Sequence, residues 1–89
     1  MLSKSYEINL KRDISTLESD IVRISKGDYG TVVVDLEGMS FLVSVVIFQL
    51  VKIFKYCKRA GITFRIINAG SLYNTFEMLK LTELFEVTP

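Results

Sequence analysis

Along the chain the spacing of apolar residues switches repeatedly between period two and period 3.6. In "YEINL", Tyr6, Ile8 and Leu10 alternate with polar residues, which predicts a short strand with one apolar face. The following "STLESDIVRISKG" predicts a helix that opens with Ser15 or Thr16 as its cap and closes at Gly27. "TVVVDLEG" is an unbroken β-branched run ending at Gly38, the pattern of a strand buried on both faces of a parallel or mixed sheet. A long helix is expected from about Ser44 to Ala60, stopped by Gly61. "ITFRIIN" predicts a further strand, "AGSLYNTFEMLKL" a turn and short helix, and "LFEVT" a final short strand or extended tail.

This alternation with short connections predicts a single α/β domain over residues 1–89, with a small mixed four-stranded sheet and about three helices packed on it. "TVVVDL" is placed at the sheet's centre, with the long helix packed on it through Ile47, Leu50, Phe54 and Cys57. On a helical wheel Val46, Ile47, Leu50, Val51, Ile53, Phe54 and Cys57 share one arc, and Lys52, Lys55, Lys58 and Arg59 lie opposite. Val45, Phe48 and Tyr56 break the pattern by projecting into the lysine arc.

Composition then removes whole classes of chemistry. With 89 residues there is room for one core, and the 49% apolar content is enough to fill it. The formal charge of +1 gives no bulk attraction to nucleic acid or to an anionic membrane. The longest apolar stretch, Phe41 to Val51, is interrupted by Ser44 and Gln49 and is much shorter than the roughly 20 residues a membrane helix needs. The amino terminus shows no apolar signal region, and one cysteine cannot form a disulfide within the chain, so a cytoplasmic protein is expected.

There is no histidine, and Cys57 alone cannot build a zinc site. No metal, cofactor or catalytic residue is therefore assigned, and no enzymatic activity is expected. The five glycines do not fall into the spacing of a phosphate-binding loop. Cys57, on the apolar side of its helix, reads as a small buried hydrophobe rather than a reactive thiol.

Three segments in order, "TVVVDLEGMSFL", the long helix ending "KRAGITFRIINAG", and "FEMLKLTELFEV", carry a resemblance. Together they resemble the STAS domain, the fold of bacterial anti-sigma factor antagonists and of the cytosolic tails of sulfate transporters. The resemblance implies a non-catalytic protein-interaction module acting in transcription regulation. Its implied partner is an anti-sigma factor, kinase-like, met around the start of the long helix. The same fold also serves as a small subunit of lipid-transport ATPases and in small-ligand or nucleotide binding, and a homodimer is compatible with it.

In phosphoswitch members of the family an Asp-Ser-Ser/Thr-Gly motif opens the long helix, and its second hydroxyl is phosphorylated. The corresponding positions here are Val43, Ser44, Val45 and Val46, so the acidic residue, the acceptor and the glycine are all replaced by valine. Two readings of Ser44 compete. It caps the helix, which is preferred because serine is a leading cap type, or it has taken over as phosphoacceptor. Two readings of Phe48 stay open as well. Either Val45, Phe48, Lys52 and Lys55 form a partner-binding patch, or Phe48 is covered by the "EGMSF" loop or the carboxyl end. Asp35 either shapes the loop ahead of the helix, as part of that contact region, or merely ends its strand.

Overall fold

A computed structural model describes residues 4–13 and 16–89; Ser15, one of the two expected caps of the first long helix, lies outside the described residues. The elements run β1 (Lys4–Asn9), α1 (Leu10–Asp13), α2 (Leu17–Lys26), β2 (Tyr29–Asp35), α3 (Ser44–Ala60), β3 (Thr63–Ile67), α4 (Leu72–Met78), a 3-10 turn (Leu81–Glu83) and β4 (Glu86–Val87). Among the described residues there are therefore four α-helices where about three were expected. The addition is the single turn α1, on which Leu10 continues the buried face of β1 into the core.

The strands lie in the order β1-β2-β3-β4, and all three pairings are parallel, so the expected mixed sheet is corrected to a parallel one. β2 and β3 occupy its centre, which agrees with the placement of "TVVVDL". Each strand steps in the same direction as the last, and right-handed crossovers of that kind deliver every helix to the same face. One face of the sheet is consequently core and the other is open.

The register shows the division. Tyr6, Val32 and Phe64 are aligned on the core face, followed by Ile8, Val34, Ile66 and Val87. Between them, on the outer face, runs the row Glu7, Val33, Arg65 and Glu86. Val32 and Val34 are fully buried while Thr31, Val33 and Asp35 are half-buried, so β2 is not covered on both faces as its β-branched run suggested. Arg65 and Glu86 form a cross-strand ion pair at 2.5 Å, half-exposed at both ends and so of small energetic value.

On the core face, Phe54, Phe64, Phe76 and Phe85 meet edge to face with centroids 4.9–6.4 Å apart, joining α3, β3, α4 and the segment before β4. Leu50, Ile53 and Cys57 of α3 are fully buried and Ile47 and Phe54 half-buried, as the wheel predicts. Burial raises the Cys57 thiol to about 11, which suits a packed hydrophobe and not a nucleophile. At the other edge Tyr6 Oη donates to the buried Asp20 Oδ1 at 2.7 Å, tying β1 to α2. Burial, and then this hydrogen bond, raise the Tyr6 pKa.

Candidate functional site

The loop from β2 to α3 positions the site. Asp35, the last residue of β2, accepts through Oδ1 from the Glu37 backbone N–H at 2.9 Å and from Asn68 Nδ2 at 3.0 Å. This fixes the start of the loop against the end of β3, where Asn68 itself holds a left-handed φ of 57°. Asp35 is thus a loop-shaping residue, and its bonds run to Glu37 and Asn68 rather than to α3. Asn68 had no signal of its own in the sequence, since only the fold brings it 33 positions back to Asp35.

Gly38 turns the loop with a φ of 83°, and a side chain there would run into Lys11. Beyond it Met39 and Leu42 point inward and pack against the core, leaving Phe41 between them exposed. A shallow groove lined by Lys11, Met39, Phe41 and Val43 runs along this segment.

Helix α3 then begins without a side-chain cap. Val43 holds the cap position in extended conformation, and its carbonyl accepts from Val46 N at 3.0 Å and Ile47 N at 3.2 Å. Ser44 is the first helical residue and exposed. The expectation that Ser44 caps the helix is therefore wrong by one residue: a cap needs an extended backbone before the first turn, and Val43 supplies it.

Four apolar side chains lie open around this helix start. Phe41 is 69% exposed, Val43 48%, Val45 60% and Phe48 63%. The alternative in which a loop or the carboxyl end covers Phe48 is excluded by that exposure. Lys52 Nζ sits 5.9 Å from the Phe48 ring centroid, and Lys55 is exposed one turn further on. Val45, Phe48, Lys52 and Lys55 thus share the outer face of α3 as the wheel placed them, and Val46 is buried; Tyr56, which the wheel also turned outward, is corrected to a half-buried side chain packed against the core. Phe41 and Val43 enlarge the patch. Phe41 was missed by the sequence reading because a loop has no periodicity from which to read a side chain's direction.

Among the described residues, no group of three or more His, Cys, Asp or Glu side chains is placed to hold a metal ion. Among the described residues no helix is long and apolar enough to cross a membrane. A second cavity, of about 230 Å³, opens on the uncovered sheet face between Glu7, Asn9, Arg12, Val33, Asp35 and Ile67.

No curated protein and no solved structure matches the chain. The STAS domain model does match it, over residues 11–89, which takes in every element from the middle of α1 to β4 and the whole of the α3 surface. The chain belongs to the STAS domain family.

Proposed function

We propose that this domain is a non-catalytic protein-interaction module of the anti-sigma factor antagonist type, which binds its partner without a phosphoswitch. The observation that carries the reading is the open apolar cluster of Phe41, Val43, Val45 and Phe48 at the start of α3. Monomeric proteins rarely leave adjacent aromatic and branched side chains so exposed unless something covers them. In switching relatives the position of Val45 carries a hydroxyl that takes phosphate. Phosphate acts on a contact surface by adding charge and a desolvation cost, so a valine keeps the surface permanently apolar and binding-competent. Asp35 contributes by holding the loop that presents Phe41, and Lys52 and Lys55 form a basic rim. An anti-sigma factor, kinase-like, is the proposed partner, in the cytoplasm and in the regulation of transcription.

The test is quantitative affinity purification from the native host with wild-type protein and with Val45→Asp combined with Phe48→Ser. Loss of a kinase-like anti-sigma factor in the double variant, with folding intact, is the expected result. Retention of that partner by the variant refutes the role of the patch. Capture of a transport ATPase in its place moves the domain to the role of an accessory transport subunit.

A further inference from the structure

The exposed face of α3 has two chemically distinct halves. Val45, Phe48, Lys52, Lys55 and Arg59 follow one another at three- and four-residue intervals, and all five are exposed. At 1.5 Å per residue they form a straight stripe about 21 Å long, apolar at one end and cationic at the other. The helix contains no acidic residue at all. Among the described residues, none of Lys52, Lys55, Lys58 and Arg59 takes part in an ion pair. Lys58 and Arg59, in the last turn, have a local purpose in facing the negative end of the helix dipole. Lys52 and Lys55 stand too far from that end to share it, and Glu18, the acidic group bonded to this helix, is engaged by Gln49.

Resting on the interaction reading above, we propose that α3 recognises an amphipathic helical segment of its partner. That segment carries a pair of apolar residues facing Val45 and Phe48, and a run of carboxylates at one-turn spacing facing Lys52, Lys55 and Arg59. The straight stripe matches the spacing of a helix laid alongside. Charge complementarity selects acidic residues, which a second copy of the domain does not supply from this helix, because α3 contains none.

Three synthetic helical peptides test the idea, each made in both sequence directions. The first has two leucines one turn apart followed by three glutamates at one-turn spacing, the second has glutamines for the glutamates, and the third has serines for the leucines. Binding is read by fluorescence anisotropy and by amide chemical shifts. The expected result is that the glutamate peptide binds about ten-fold more tightly than the glutamine peptide at low salt. That advantage should vanish near 1 M salt, where the screening length falls to about 3 Å, and in K52Q combined with K55Q and R59Q. Shifts should centre on Val45, Phe48, Lys52 and Lys55. Equal binding of the glutamate and glutamine peptides overturns the acidic-partner inference while leaving the apolar patch in place. Equal binding of the serine peptide removes the patch instead. No binding by any peptide overturns the inference, and so does sedimentation with phosphatidylglycerol vesicles under conditions where the peptides are silent, which assigns the stripe to a lipid surface.

Discussion

Truncating Phe48 to alanine separates an interface residue from a core residue by magnitude. The ring is 63% exposed, so a little over a third of it is removed from water. Full burial of such a side chain is worth roughly 1.5–3 kcal/mol, which sets this share at about 0.5–1 kcal/mol. Losing the Lys52 ammonium from the ring face adds about 0.5 kcal/mol. The better helix propensity of alanine returns about the same amount. The net cost of Phe48→Ala is therefore about 0.5–1 kcal/mol. Phe76, fully buried on α4, supplies the internal standard, since Phe76→Ala should cost about 3–5 kcal/mol. Both variants are measured by urea denaturation against wild type, comparing midpoints at constant slope. A Phe48→Ala cost close to that of Phe76→Ala would refute the reasoning, because the ring would then have to be packed. Against a bound partner the order should reverse, with Phe48→Ala weakening affinity by about 2 kcal/mol or more as a central contact.

Val43→Asp should stabilise the fold by about 1 kcal/mol, because it places a capping side chain at the position α3 leaves uncapped, whereas Ser44→Ala should change stability by less than about 0.5 kcal/mol; thermal denaturation checks both, and a large loss for Ser44→Ala would return the cap to Ser44. Cys57 should react with a thiol reagent only as fast as the domain unfolds. Its buried thiol also makes stability pH-dependent: below the ordinary value of 9.0 both states stay protonated, but between 9.0 and about 11 the unfolded chain ionises first, so stability falls as pH rises. The loss is bounded at about 2–3 kcal/mol by the two-unit shift, and Cys57→Ala should flatten this part of the profile in alkaline denaturation; an unchanged profile would show that the thiol does not carry it.

Local sequence was sufficient wherever one element's own periodicity decides the outcome. The bounds of α3 follow from an apolar repeat ended by Gly61, which adopts a left-handed φ of 74°. Helical spacing placed Val45 and Phe48 on the outward arc, but it placed Tyr56 there too, and only the structure shows that Phe48 is left uncovered while Tyr56 packs against the core. Cys57 was placed in the core by the same repeat, and the order of the three family segments pointed to the STAS domain without coordinates.

What the tertiary structure decided depends on relations between elements. "TVVVDL" is equally compatible with burial on one face or two, and only the sequential strand order, with every crossover in the same sense, leaves Val33 facing outward. The same topology makes the sheet wholly parallel, since strand direction is set by the connections and not by residues within the strands. Ser44 and Val43 are adjacent and their roles differ by one residue of backbone conformation, below what side-chain preference can resolve. Asn68 and Asp35 form a bond only because β2 and β3 end side by side. The exposure of Phe41 is likewise tertiary: Met39 and Leu42 take the inward positions of the loop, and the ring between them is left in solvent.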